Sequence, residues 1–233
     1  MDMTVTRNPA YDGFEDKEFV TSDQVTLHYM VKGKGKPLIF IHGWSGDSRN
    51  FMFNAPVLAR DFRVYVLDLR GHGYSEAPSH GARNPADSED EIRLYGGNKM
   101  DLWKLRNAVY EGVDYSGVFA ESFQRPGKNK NNAEMEAIAE KVVNPPFHHE
   151  FLGELLRDHI NQDWRDVFSR ITVPVLLISG EIGFATTHEC CEWMSREIKN
   201  CTWIPFMEED YGTHSLMQNS PEKFNRIVLA FIN

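Results

Sequence analysis

The sequence predicts an α/β protein with a mostly parallel sheet flanked by helices, and two stretches carry that prediction. Residues 38–42, LIFIH, and residues 63–69, RVYVLDL, are short apolar runs typical of strands buried in a parallel sheet. A second strand–helix–strand order follows over residues 173–206, where VPVLLIS and CTWIPF flank the helical segment ATTHECCEWMSREIK. Of the 233 residues, 41% are hydrophobic, which is enough apolar surface to build a core.

The amino-terminal strands begin with residues 25–31, VTLHYMV, which the loop KGKGKP separates from residues 38–42. Glycine and proline in such a loop indicate either a hairpin or a tight crossover between the two strands. Residues 48–61, SRNFMFNAPVLARD, then predict a helix before the strand at residues 63–69.

The middle third is predicted to be mostly helical. Residues 76–98 are polar and contain several prolines and glycines, which is typical of loops. Helical spacing of apolar residues follows in three segments, at residues 100–111, 132–143 and 147–170. We find no pair of segments with the pattern of buried strands between residues 76 and 131.

The carboxy-terminal helix has clear start signals. Ser220 is a natural N-cap and Pro221 suits the first helical position. Apolar residues then recur at helical spacing and predict the face that packs on the sheet: Phe224, Ile227, Val228 and Phe231.

The composition disfavours several function classes. The net charge of −9 argues against nucleic acid or an anionic membrane surface as a partner, and no apolar run approaches the ~20 residues of a membrane span. The first residues lack the apolar segment of a signal peptide, so we expect a cytoplasmic protein with its three cysteines reduced. The histidines near residues 148–159 lack a metal-ligand spacing, and we expect no metal and no cofactor.

Two turn motifs follow neighbouring predicted strands. His42-Gly43-Trp44 ends the first strand, where glycine permits a ligand to approach the backbone closely. The second strand is followed by the motif DLRGHGYS at residues 68–75. Further along the chain, Gly212-Thr213-His214 precedes the last helix.

The order and spacing of these motifs resemble the α/β-hydrolase superfamily. Ser45 stands where epoxide hydrolases and haloalkane dehalogenases often have proline, so the likeness is to the esterase or cofactor-free haloperoxidase branch. The resemblance implies that His214 is the catalytic base and that Trp44, with Gly43, supplies the oxyanion hole. It further implies that four residues shape the pocket, and that the ligand is a small apolar or ester-like molecule. These four residues are His42, Ser45, Arg70 and His72.

The resemblance also implies three regions. Residues 1–85 correspond to the amino-terminal part of the hydrolase core, residues 86–165 to a helical cap-like insertion, and residues 166–233 to the carboxy-terminal part of the core. In the family, a strand and a sharp turn carrying G-x-S-x-G bring the nucleophile between the two core parts. That pentapeptide is absent from the sequence, so we expect an incomplete central sheet whose unpaired strand edges permit self-association.

The remaining catalytic groups have only weak candidates. Ser75 lies in a small-x-Ser-x-small pattern but is followed by a proline rather than a helix, and Ser45 belongs to the turn that would hold the oxyanion. The weak candidates for the acid are Glu181 and Asp210. Three alternatives therefore stay open: an active hydrolase, a non-catalytic protein that binds a ligand or a protein partner, and a truncated gene product.

Overall fold

A computed structural model of the chain describes residues 9–77, 109, 111–112, 148–161, 164–181 and 187–233. The strands are β1 (Glu15–Val20), β2 (Thr26–Lys32), β3 (Pro37–Ile41), β4 (Arg63–Leu67), β5 (Val175–Gly180) and β6 (Cys201–Phe206). The α-helices are α1 (Ala55–Leu58), α2 (His149–Asn161), α3 (Arg165–Phe168), α4 (His188–Glu197), α5 (Leu216–Asn219) and α6 (Pro221–Ile232). Short 3-10 helices span Pro9–Tyr11, Ser48–Phe51 and Glu208–Asp210.

The described strands form two sheets. Four strands lie in the order β1-β2-β4-β3, in which β2 is antiparallel to both β1 and β4, and β3 is parallel to β4. Strands β5 and β6 form a separate parallel pair. The α/β class predicted from the sequence is confirmed. Within the described residues, β3 pairs with β4 alone, so its other backbone edge has no strand partner there.

The hairpin alternative for β2 and β3 is wrong, and the crossover alternative is the one observed. Strand β4 lies between β2 and β3, and hydrogen-bonds to both of them. The hairpin partner of β2 is instead β1, a polar strand that the apolar pattern did not predict. Its charged residues suit an edge strand, because charge discourages pairing with another chain.

The single helix predicted over residues 48–61 is also wrong. The chain forms the 3-10 helix Ser48–Phe51, capped by the Asp47 carboxylate, and then restarts as α1. Pro56 explains the break, because it lacks the N–H that a continuous helix would need there. In the first turn of a new helix that N–H is not required.

The carboxy-terminal helix is confirmed as α6, but its packed face is rotated from the predicted one. Val228, Leu229 and Ile232 pack against the core, whereas Phe231 is 37% exposed. The Ser220 hydroxyl does not cap the helix and instead donates to the backbone carbonyl of Asp210.

The core lies against one face of the four-stranded sheet. It is built by buried side chains from the first 3-10 helix, the sheet, α1 and the segments beside it: Tyr11, Phe14, Met30, Phe40, Phe51, Ala55, Leu58, Ala59, Phe62, Val64 and Val66. On β3 the alternate residues Ile39 and Ile41 point away from this core and are each 60% exposed.

Other predicted elements are confirmed where they fall on described residues. The strand and helix pattern over residues 173–206 appears as β5, α4 and β6, and the segment at residues 147–170 contains α2 and α3. The helices predicted at residues 100–111 and 132–143 lie largely outside the described residues, as does residue 85, so the three-region division stays a prediction. No helix in the described ranges is long and apolar enough to cross a membrane.

Candidate active site

Two loops leave the same edge of the sheet side by side. Strands β3 and β4 are parallel neighbours in which Ile41 lies opposite Leu67. The turn after β3, residues 42–46, therefore lies beside the loop after β4, residues 68–75. We call these the HGWSG turn and the RGHG loop. The carboxyl edge of parallel strands is where α/β folds place ligands.

A buried carboxylate holds the base of both loops. Asp68 is fully buried and accepts the backbone N–H of Ser48 at 2.7 Å and that of Tyr74 at 3.1 Å. It also accepts Nδ1–H of His28, on β2, at 2.8 Å. Burial alone would raise the pKa of Asp68, but these hydrogen bonds outweigh it and lower the pKa.

His28 lies between two carboxylates. Its Nε2 lies 2.8 Å from Asp16 on β1, so the ring joins Asp16 to Asp68 across the sheet. Burial alone would lower the pKa of His28, but the hydrogen bonds to Asp16 and then Asp68 outweigh it and raise the pKa to about 9. At neutral pH this ring is an imidazolium that compensates the buried charge of Asp68.

Two further histidines cross-link the loops. His42 of the HGWSG turn accepts the backbone N–H of Leu69 at Nε2, at 2.9 Å, and its Nδ1 lies 2.8 Å from the Gly43 carbonyl. His72 of the RGHG loop accepts the backbone N–H of Ser45 at Nε2, at 3.2 Å, and its Nδ1 lies 2.9 Å from the Arg70 carbonyl. Burial lowers the pKa of His72, which favours its neutral form.

The predicted oxyanion residues lie in an open part of the HGWSG turn. Among the described residues, no atom lies within 4 Å of a Cβ placed on Gly43, which leaves space for a ligand on that side of the turn. Ser45 adopts a left-handed backbone conformation, with φ of +58°, and Gly46 N–H donates to the Gly43 carbonyl at 3.1 Å. Within the described part of the chain, the backbone N–H of Trp44 donates to no protein acceptor.

Helix α2 packs over both loops. The Trp44 indole N–H donates to the carbonyl of Leu152 at 2.9 Å. The ring of Phe151 lies so close to Gly71 that a Cβ there would be 2.1 Å from it, and Gly71 has φ of +73°. The first turn of α2 is thus held over the candidate site by a hydrogen bond and by an aromatic contact.

His214 lies in a loop that the end of β5 supports. A Cβ on Gly180 would be 2.4 Å from the Gly212 carbonyl, so β5 touches the backbone just before His214. After His214, α5 packs on the 3-10 helix Ser48–Phe51 that follows the HGWSG turn. Although His214 is exposed, the protein atoms around its ring lower its pKa through desolvation.

The two acid candidates have identified partners of their own. Asp210 accepts the backbone N–H of Met207 and forms an ion pair with Lys223, whose hydrogen bond lowers the pKa of Asp210. Glu181 accepts the backbone N–H of Glu208 at 2.9 Å. Both carboxylates therefore lie in the region between β5 and the His214 loop.

The two serine candidates and Arg70 differ in burial and in their hydrogen-bond partners. Ser75 is 3% exposed. Its hydroxyl donates to the backbone carbonyl of Asp68 at 2.6 Å and accepts the backbone N–H of His28 at 2.8 Å. That hydroxyl ties the RGHG loop to β2. Ser45 is exposed. The Arg70 guanidinium binds Asp23, on the turn between β1 and β2, in two hydrogen bonds of 2.7 and 2.9 Å.

Sequence reasoning missed the residues that support the site. Asp16 and His28 form a charge chain with Asp68, which the sequence marked only as the first residue of the DLRGHGYS motif. Phe151 and Leu152 supply the contacts of α2. The available signal was a histidine among apolar residues of β2, since a buried histidine needs polar partners. No local pattern marked Phe151 or Leu152, which are more than 100 positions from Trp44.

Comparison with known proteins identifies the fold. The family model described as alpha/beta hydrolase fold matches residues 36–118. AB hydrolase superfamily protein YisY from Bacillus subtilis is 24% identical over 272 residues, covering 91% of this chain and 97% of that protein. A bromoperoxidase from Bacillus anthracis superposes with a TM-score of 0.75 at 15% identity, covering 94% of this chain and 99% of that one.

A second solved structure agrees with the first. An esterase from Exiguobacterium antarcticum superposes with a TM-score of 0.74 at 17% identity, over 94% of this chain and 99% of that one. The motifs at the carboxyl edge, the match over nearly the whole length of a curated relative and the common fold agree. The chain has the α/β-hydrolase fold, and its sequence is similar to members of that superfamily.

Proposed function

We propose that the chain is a carboxylic-ester-type hydrolase, related to esterases and cofactor-free haloperoxidases, that binds a carbonyl oxygen at the HGWSG turn. The observation that carries this proposal is the backbone N–H of Trp44. The next two N–H groups, of Ser45 and Gly46, are both used by protein acceptors, whereas that of Trp44 has none among the described residues. An N–H held in this way can stabilise the negative oxygen that develops during acyl transfer.

His214 is the proposed general base. Its lowered pKa keeps the imidazole neutral at pH 7, where it can take a proton from a serine hydroxyl that attacks the ester carbonyl. The same proton then passes to the departing alcohol, which leaves an acyl-enzyme. Water releases the acid product in a second step, with His214 again as base. The carbonyl oxygen is held by Trp44 N–H in both steps.

A non-catalytic binding protein is the second candidate. The Ser75 hydroxyl is buried and used in two hydrogen bonds, and Ser45 lies within the oxyanion turn itself. The match to the Bacillus subtilis relative spans 272 residues, more than the 233 of this chain, so that relative has residues without a counterpart here. These observations favour loss of the nucleophile segment, by evolution or by truncation, with retention of the ligand pocket.

Labelling with a fluorophosphonate separates the candidates. A hydrolase should be labelled at one serine and should turn over p-nitrophenyl butyrate, and both signals should disappear in His214→Ala. His148→Ala is the matched control, since this histidine lies immediately before α2 and outside the His214 loop. Absence of labelling and turnover in the folded wild type would remove the catalytic proposal. A ligand-dependent rise of the melting temperature without turnover would then support the binding protein.

A further inference from the structure

The direction of the Trp44 N–H is set by the peptide group that contains it. The Gly43 carbonyl belongs to the same peptide group, and it faces two donors: Nδ1 of His42 at 2.8 Å and the N–H of Gly46 at 3.1 Å. A trans peptide is planar, so its N–H points opposite to its carbonyl. Fixing the Gly43 carbonyl on one side therefore aims the Trp44 N–H toward the other.

The two hydrogen bonds of the His42 ring together require one tautomer, with its proton on Nδ1. Its Nε2 faces the backbone N–H of Leu69 at 2.9 Å, which requires an unprotonated acceptor nitrogen. The proton must then lie on Nδ1, which faces the Gly43 carbonyl. Since His42 is 4% exposed, neither contact can be replaced easily by water.

His72 repeats this arrangement in the opposite direction between the loops. Its Nε2 accepts the N–H of Ser45, and its Nδ1–H faces the Arg70 carbonyl. The two rings lie 5.0 Å apart between their centroids. His42 thus links the RGHG loop to the Gly43–Trp44 peptide, with one hydrogen bond at each ring nitrogen. His72 holds the next peptide by accepting the N–H of Ser45, which adopts the left-handed conformation.

We propose that His42 is a positioning residue that aims the Trp44 N–H at the ligand oxygen, that His72 holds the following peptide, and that both act as neutral rings protonated on Nδ1. Neither ring touches the ligand in this arrangement. The importance of this positioning for catalysis or binding rests on the proposed function. The tautomers of the two rings and the orientation of the peptide are independent of it.

Nitrogen NMR of the imidazole groups tests the tautomers without any ligand. In the ¹⁵N-labelled full chain at pH 8, long-range proton–nitrogen spectra distinguish a ring protonated on Nδ1 from one protonated on Nε2. We expect the Nδ1–H form for both His42 and His72. The Nε2–H form at His42 would overturn the inference whatever the protein catalyses.

Variants of His42 test positioning with sodium butyrate as the probe, because its carboxylate offers an anionic oxygen. Butyrate should shift the amide proton of Trp44 in the wild type. His42→Leu loses both contacts and should weaken butyrate binding roughly tenfold. His42→Asn keeps an N–H donor for the Gly43 carbonyl and should restore the affinity to within about threefold of the wild type.

The variants are compared only after thermal unfolding shows that each is folded. Equal butyrate affinities for His42→Leu and wild type, or no improvement in His42→Asn over His42→Leu, would overturn the positioning role. If butyrate binds none of the proteins at Trp44, the proposed function fails, and the tautomers alone then decide whether the two histidines hold the turn as inferred.

Discussion

At the scale of single residues, buried charge holds the loops of the site. Asp68 has no contact with solvent, and such a carboxylate is costly to bury unless it is paired and fully hydrogen-bonded. His28 provides the opposite charge, and Ser48 and Tyr74 provide N–H donors from the two loops. Asp16 completes the chain from the edge strand.

This chain of charges predicts how stability depends on pH. Because the folded pKa of His28 is raised from 6.5 to about 9, its stabilisation is complete below about pH 6.5 and is lost as the pH rises through 9. The loss should be at most about 3 kcal/mol in the free energy of unfolding. The lowered pKa of Asp68 changes stability only in the acidic range, below this pH window.

Urea denaturation between pH 6 and pH 9.5 measures this effect. Asp16→Asn removes one of the two carboxylates that raise the pKa of His28, so its stability should fall less steeply over this range. Equal slopes for Asp16→Asn and wild type would show that Asp16 does not raise the pKa of His28.

At the scale of elements, helix α2 is held over the site by two contacts that differ in kind. The Trp44 indole binds the Leu152 carbonyl directionally, whereas the Phe151 ring fills the space that the missing side chain of Gly71 leaves. The HGWSG turn and α2 are therefore packed together, and a substitution in the RGHG loop should alter the stability of α2.

Gly71→Ala tests this coupling. The new Cβ would overlap the Phe151 ring, and the positive φ of this position disfavours any side chain. We expect a loss of about 2–4 kcal/mol in the free energy of unfolding and faster amide hydrogen exchange in α2. Gly43→Ala is the control: its Cβ meets no atom of the described residues within 4 Å, and its stability should stay within about 0.5 kcal/mol of wild type. Similar losses for both variants would contradict this account.

At the scale of the whole molecule, a pair of asparagines joins the segment before α1 to the carboxy-terminal helix α6. Asn54, just before α1, donates to Asn225 of α6 at 2.9 Å and to the Met217 carbonyl at 3.1 Å. Asn225 donates in return to the Phe53 carbonyl at 3.0 Å. Both side chains are buried, so these hydrogen bonds are costly to lose.

Asn225→Ala should therefore loosen the carboxy-terminal segment. It leaves the Phe53 carbonyl without this donor, and we expect a loss of about 1–3 kcal/mol in the free energy of unfolding. The neighbouring exposed residue provides the control, since Arg226→Ala should change stability by no more than about 0.5 kcal/mol. An equal effect of the two substitutions would show that the buried amide pair does not stabilise the contact between α6 and the segment before α1.

The outer edge of β3 carries a prediction about association. Ile39 is 60% exposed beside a backbone edge that pairs with no described strand, and such edges promote pairing between chains. If the protein self-associates there, Ile39→Lys should shift it toward the monomer in size-exclusion chromatography. Val173→Lys adds the same charge at a 63% exposed site outside the strands and should not. An identical elution of both variants would exclude this edge as the contact.

The sequence by itself determined the elements whose signal is local. The strands β3, β4, β5 and β6 follow from apolar runs, and the His42-Gly43-Trp44 turn follows from its glycine and its place after a strand. Only the tertiary structure decided which groups meet. It placed β4 between β2 and β3, paired the polar strand β1 with β2, and brought Leu152 to Trp44. Contacts between residues far apart in the chain leave no periodic pattern, because they are selected by shape and by the need to satisfy buried polar groups.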